Sequence, residues 1–137
     1  MALNHSRQRD AIMEFLSHRK DHPTAEVIYD NVREVYPRIS LGTVYRNLTL
    51  LSENGTIRRI RTRDSKDHYD ADLSPHYHFM CNRCNSISDI FIDQTKELIE
   101  AARQETSGQI TGHEVIYFGI CPSCIGEKEK ISDHLRK

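Results

Sequence analysis

Two C-x-x-C pairs, Cys81-Asn82-Arg83-Cys84 and Cys121-Pro122-Ser123-Cys124, constrain this chain more than any other feature. Each pair is short enough to bring both sulfurs to one ion. Together they supply the four thiolates that zinc takes in a closed tetrahedral site with no position left for catalysis. Buried or redox-active dithiols are the competing reading, and the doubled spacing argues against it. A chain of 137 residues can hold two small modules with marginal cores, and a metal tying the tail to a strand start would stabilise one of them. The amino terminus has no apolar run of signal-peptide length, and no segment approaches the ~18 apolar residues of a membrane span. The expectation is a soluble, cytoplasmic protein without a membrane partner, in a compartment where cysteines bind metal rather than form disulfides.

The net charge of -1 hides an asymmetry, because residues 1–69 carry twelve Lys/Arg against nine Asp/Glu, and residues 70–137 seven against eleven. The first half is suited to meet a polyanion. There, Ser6 is placed to cap a helix with Ala11, Ile12, Phe15 and Leu16 at helical spacing. Thr24, after the breaker His22-Pro23, caps a second helix with Val27, Ile28, Val32 and Val35 on one face, ending near Pro37. Ser40 caps a third, with Leu41, Val44, Leu48 and Leu51 as the buried stripe, Thr43, Tyr45, Arg46 and Asn47 facing outward, and Asn54-Gly55 closing it. Segments 57–61 and 68–71 around the polar turn 62–67 read as a hairpin. Three helices and a basic hairpin describe a winged helix-turn-helix over residues 1–71.

Residues 72–75 read as a hinge ending in Pro75, with a second module over 76–137. Its strands are His76 to Met80, Ile87 to Phe91 and Val115 to Ile120, and Asp93 caps a helix with Leu98, Ile99 and Ala102 inward. The last strand is apolar on both faces, so it should sit centrally or be covered by a partner subunit. The tail from Cys121 onward reads as a charged helix. The fold class is α+β. His76-Tyr77-His78 on a strand points two imidazoles to one face, a geometry that suits one metal. Nitrogen and carboxylate donors favour ferrous iron, manganese or zinc. Asp70, Asp89 and His22 lie within range in the sequence. Spacing does not select them over His5, His18, His68, His113 and His134.

The order of His22-Pro23-Thr24-Ala25, Ser40-Leu41-Gly42-Thr43-Val44-Tyr45-Arg46-Asn47-Leu48, His76-Tyr77-His78 and both C-x-x-C pairs resembles the ferric uptake regulator (Fur) superfamily over nearly the whole chain. The resemblance implies an amino-terminal winged helix joined by a hinge to an α/β dimerisation domain with a structural zinc on Cys81, Cys84, Cys121 and Cys124. It also implies a regulatory iron or manganese site formed by His22, Asp70, His76, His78 and Asp89. The two Asp residues at positions 70 and 89 resemble the peroxide-sensing branch. In that branch iron-catalysed oxidation of ligand histidines ends repression, which makes His22 and His76 the oxidation targets. The family's accessory metal site is expected to be absent, since Pro75 and Tyr77 stand where it needs ligands, although His113 matches part of it. The helix that many members carry ahead of Ser6 is expected to be nearly missing here.

The third helix can enter a major groove with Thr43, Tyr45, Arg46 and Asn47. Arg58, Arg59, Arg61, Arg63 and Lys66 on the wing can bind phosphates. The expected partners are a second copy of the chain and double-stranded DNA with an inverted-repeat operator. The leading reading is a peroxide-sensing repressor, not an enzyme. Iron-, zinc- or manganese-responsive regulators of the same family are the alternatives. A zinc-dependent hydrolase is a distant alternative, because no general acid or base stands out beyond the ligands, and a zinc-stabilised adaptor for another protein is a third class.

Overall fold

In a computed structural model of the chain, which describes residues 6–127, two compact units meet between Ser74 and Pro75. The amino-terminal unit is built from α1 (Arg7–Ser17), α2 (Ala25–Val32), α3 (Leu41–Glu53), β1 (Arg58–Arg61) and β2 (Asp67–Asp70). Each helix begins where a hydroxyl satisfies a free backbone donor of the first turn. The Ser6 hydroxyl accepts from the Arg9 N–H (3.2 Å), Thr24 from Val27 (3.5 Å) and Ser40 from Thr43 (3.0 Å). The helices bury Ile12 and Leu16 of α1, Ala25, Ile28 and Val32 of α2, and Val44, Leu48 and Leu51 of α3, around Ile39, Ile57 and Tyr69.

Two positions of the expected α2 stripe lie outside this core. Val27 is 38% exposed and Val35 70% exposed. The helix ends at Val32, so Val35 falls in the turns beyond it, and the buried face runs through residues 25, 28 and 32, the i, i+3, i+7 spacing of a short helix. Leu41, in the first turn of α3, is only half-buried. Gly55 ends α3 with φ at +80°, a conformation that costs glycine no Cβ clash.

Strands β1 and β2 pair antiparallel from Arg58↔Asp70 to Arg61↔Asp67. The stretch leading into α2 joins their edge: Thr24 bridges His68, and the Tyr69 N–H donates to the Pro23 carbonyl at 3.1 Å. The wing is thereby tied to the backbone beside His22.

The carboxy-terminal unit contains β3 (Tyr77–Cys81), β4 (Ile87–Ile90), α4 (Thr95–Glu105) and β5 (Ile116–Gly119). The sheet order is β4-β3-β5, with β4 antiparallel and β5 parallel to β3. Of the two positions expected for the apolar strand around residues 115–120, the central one is therefore occupied by β3, and β5 lies at the edge with Tyr117 (43%) and Phe118 (37%) exposed. Its apolar character is not explained by burial within its own sheet. The α4 expectations are corrected too. Gln94, not Asp93, occupies the cap position, without a side-chain cap bond, and the helix buries no side chain. Leu98 and Ala102 are exposed and Ile99 is half-buried, because nothing in the described chain covers that face. Residues 122–127 are helical, whereas the rest of the expected tail helix lies outside the described residues. Among the described residues, no helix is long and apolar enough to cross a membrane.

The cap on α3 makes a measurable contribution. Ser40→Ala is expected to cost about 1 kcal/mol, seen as a lower urea midpoint at unchanged m-value.

Candidate metal centres and recognition surface

The four cysteines converge: their sulfurs all lie within 4.8 Å of one another. Cys81 ends β3, where Asn85, at φ +61°, helps turn the chain back toward β4. The second knuckle arrives on the parallel neighbour, since the Asn82 N–H donates to the Gly119 carbonyl at 2.7 Å at the end of β5. Close approach is built in there. A Cβ on Gly119 would lie 3.0 Å from the Phe79 ring, so a larger residue would push that ring aside.

The Cys81 sulfur is cradled by backbone donors, the N–H groups of Cys84 (3.5 Å), Cys121 (3.3 Å) and Arg83 (3.4 Å). These bonds, those from Cys84 and Cys121 foremost, push its thiol down to about 6. The Ser86 hydroxyl, 3.1 Å away, lowers Cys84 as well. Hydrogen bonding to Cys121 and burial push Cys124 up to about 12. The cluster thus presents a preformed thiolate beside a thiol that keeps its proton until a cation displaces it. Four sulfurs with no oxygen or nitrogen donor among them fit zinc in a closed structural site.

Zinc uptake by metal-free protein at pH 7 is expected to release protons, measurable with a pH-indicator dye. The sign follows from Cys81: in the metal-free protein its depressed thiol is a thiolate above about 6 and is protonated below, so zinc affinity should fall more steeply with decreasing pH below that value, where one more proton must be displaced. Cys81→Ala should abolish zinc retention.

The mixed donors form two groups, one in each unit. In the amino-terminal unit His22 Nδ1 lies 3.6 Å from Asp70 Oδ2, and both side chains are buried. His22 stands at φ +52° immediately before Pro23, a backbone conformation that costs a non-glycine residue about 1–3 kcal/mol and persists only where its surroundings enforce it. In the carboxy-terminal unit, His76 lies one residue ahead of β3, and the Nε2 atoms of His76 and His78 are 3.1 Å apart. Both face one carboxylate oxygen, Asp89 Oδ1, at 3.3 and 3.6 Å. The register explains this convergence, since His78 sits opposite Asp89 across β3 and β4. Imidazole nitrogens and carboxylate oxygens are the donor types that iron and manganese accept.

The other candidate histidines are engaged differently. His18 is exposed and bonds the Glu14 carbonyl (2.9 Å), while His113 Nε2 meets the Tyr77 hydroxyl (2.8 Å). His68 is buried between the His22 carbonyl and Asp64. His5 and His134 lie outside the described residues.

On α3, Tyr45 and Arg46 are exposed and Thr43 is half-buried. The Tyr45 hydroxyl donates to Glu26 at 2.8 Å, which pushes it up to about 12, and Arg46 donates to the Thr43 hydroxyl at 3.1 Å. Asn47 does not face outward. It is 9% exposed, its amide donates to the Thr43 carbonyl, and its oxygen accepts from Arg9 Nε, both at 3.0 Å. One step along α3 from Arg46, its side chain turns toward α1 and fixes the two helices against each other. On the wing, Arg58 donates to the Leu73 carbonyl (3.3 Å) and Arg59 to the Thr49 hydroxyl (3.3 Å), while Arg61, Arg63 and Lys66 are exposed. Reading the sequence alone missed Arg9, Glu26 and Asp64, whose only signal is ordinary surface charge.

A winged helix with a basic wing, followed by a unit carrying a four-thiolate cluster and a histidine–carboxylate cluster, defines a metal-responsive DNA-binding protein. The Ferric uptake regulator family matches residues 1–118, and the chain belongs to that family. Among curated relatives, the peroxide-responsive repressor PerR of Staphylococcus epidermidis is 33% identical over 117 residues, 85% of this chain and 78% of that protein. A crystal structure of the Campylobacter jejuni peroxide stress regulator is similar at TM-score 0.76 and 28% identity, over 85% of this chain and 88% of that one. The Helicobacter pylori ferric uptake regulator shares the fold at TM-score 0.78 and 23% identity, over 90% and 83% of the two chains. Members of this family are DNA-binding dimers that regulate transcription and are not enzymes, which removes the hydrolase alternative.

Proposed function

We propose that this chain is a cytoplasmic repressor that senses hydrogen peroxide through iron, held by His22, Asp70, His76, His78 and Asp89, while Cys81, Cys84, Cys121 and Cys124 hold a structural zinc. The observation that carries this reading is the donor set: three histidines and two aspartates, the histidine pair already gathered on one Asp89 oxygen. Three imidazole nitrogens and two carboxylates would hold the metal with fewer donors than such an ion can accept, which would leave room for a small oxidant. The likeness to a peroxide-responsive repressor supports the same assignment.

Bound ferrous iron would supply the electron that cleaves the peroxide O–O bond. The chain contributes the rest. His22 and His76 would each hold the metal through an imidazole nitrogen, so either ring could take up oxygen, and an oxidised imidazole is a weaker donor. Because His22 belongs to the winged-helix unit and His76 to the following one, losing either donor frees the two units to reorient about a hinge at residues 72–75, with 1–71 and 76–137 as the moving domains. Metal binding then selects one conformation and oxidation releases it.

The DNA-bound form is a homodimer on an inverted repeat. A second copy covering the α4 face and the edge strand β5 accounts for their exposed Leu98, Tyr117 and Phe118. Thr43, Tyr45 and Arg46 read bases or phosphates, and Arg58, Arg59 and Arg61 contact the backbone. Asn47 sets the angle of α3 from the protein side.

Gel-shift titration on promoter DNA is expected to show binding that requires iron or manganese, and metal-independent binding would overturn the regulator reading. Arg46→Ala is expected to weaken operator affinity by about 1–3 kcal/mol. Mass spectrometry of iron-loaded protein after peroxide is expected to find one added oxygen on His22 or His76. If neither gains it, the chain is a metal-uptake regulator of the same family.

A further inference from the structure

We infer that His68, held by Asp64, is a positioning residue that sets the direction of His22 as a metal donor. This rests on the proposed role of His22 and adds two residues to it. His22 needs outside help to hold its place, because its φ of +52° lies in the left-handed region and Pro23 follows it. The help comes from β2. His68 Nδ1 donates to the His22 carbonyl at 2.8 Å, in a buried bond, and Nε2 lies 3.0 Å from Asp64 Oδ2. A carbonyl only accepts, so Nδ1 is the nitrogen that holds the His22 backbone, and the ring spans the gap between that carbonyl and the Asp64 carboxylate. Asp64 is itself anchored by the Thr62 hydroxyl and by the Lys66 N–H (3.1 Å).

The arrangement reaches from the wing turn to the peptide bond that His22 shares with Pro23. His68 and Asp70 are two apart on β2, so their side chains share one face of the strand. One strand therefore presents the Asp70 carboxylate directly and holds the His22 backbone through His68. Rotating the His22 peptide would swing its imidazole away from Asp70, 3.6 Å distant. Partners that orient a ligand without touching the metal typically change metal affinity about 10–100-fold when lost.

The side-chain amides of Asn and Gln allow a sharp test. The Asn amide nitrogen sits where His carries Nδ1, and the Gln amide nitrogen sits where His carries Nε2. His68→Asn keeps a donor for the His22 carbonyl, and His68→Gln keeps one only for Asp64. Manganese affinity of the zinc-loaded full-length protein is measured by titration, the cobalt(II) absorption spectrum reports coordination, and thermal unfolding is followed alongside. His68→Gln is expected to weaken manganese binding about tenfold or more and to alter the cobalt spectrum, with His68→Asn closer to wild type. The two variants remove similar ring volume and should unfold at similar temperatures. Asp64→Ala, at the surface turn, should weaken binding in the same direction and serves as the readout if a His68 variant does not fold. Equal affinities in His68→Asn and His68→Gln, or an unchanged affinity in Asp64→Ala, would overturn the inference. His22→Ala separates the two levels: if it leaves manganese affinity and the cobalt spectrum unchanged, His22 is not a ligand and both readings fall, whereas a loss there with no effect at His68 removes only the positioning role.

Discussion

Four sulfurs gathered within 4.8 Å impose a direction on the strands that deliver them. Cys81 ends β3, and Cys121 follows just beyond the end of β5. Two knuckles that each leave the carboxy-terminal end of a strand meet only if those strands run the same way. Neighbouring parallel strands cannot be joined by a tight turn, so the chain must cross over through β4 and α4 before returning. The sheet order β4-β3-β5 thus follows from the need to close one thiolate cluster. The same sheet puts His78 opposite Asp89, so the closed cluster fixes the sheet from which those two donors project.

The two kinds of site divide the work by chemistry. An all-thiolate cage saturates its ion and leaves nothing for a signal to act on. A nitrogen and oxygen set can exchange its metal and keep a position open. The sulfur cluster lies wholly in the second unit, and the mixed donors stand as two groups, His22 with Asp70 in the first unit and His76, His78 and Asp89 in the second. The two donor sets therefore share no residue, and a change in one need not disturb the other.

Much of this was legible in the sequence wherever one local rule decided the outcome. Ser6, Thr24 and Ser40 were readable as caps because each precedes an apolar periodicity, and the cysteine spacing announced its own geometry. Readings failed where the deciding contact was distant or where a face meets no cover among the described residues. Asn47 looks like one more polar residue on an outward face, and only Arg9, thirty-eight positions away, turns it inward. Leu98 and Ala102 have the pattern of a core-facing stripe, yet α4 has no core of its own to meet. The apolar run at Val115–Ile120 reads as a strand that is either central or covered by a partner subunit, and the sheet order removes only the first alternative, since periodicity reports that a face wants cover without saying who covers it. His22 could be singled out by family resemblance but not by spacing, because the side chain that bonds its carbonyl, His68, lies forty-six residues later.

The parallel pairing of β3 with β5 also bears on how the protein acquires its structure. Helices α1 to α3 and the wing form from neighbours in the chain, so that unit has mostly short loops to close. The second unit must hold β3 while about forty residues pass, and only then do its best hydrogen bonds and its metal ligands come together. Long-range parallel pairing of this kind is slow relative to helix formation. Zinc supply and chain collapse are then coupled in time: until the second cysteine pair arrives, β3 offers a bare strand edge and two unpaired thiols to whatever else is nearby.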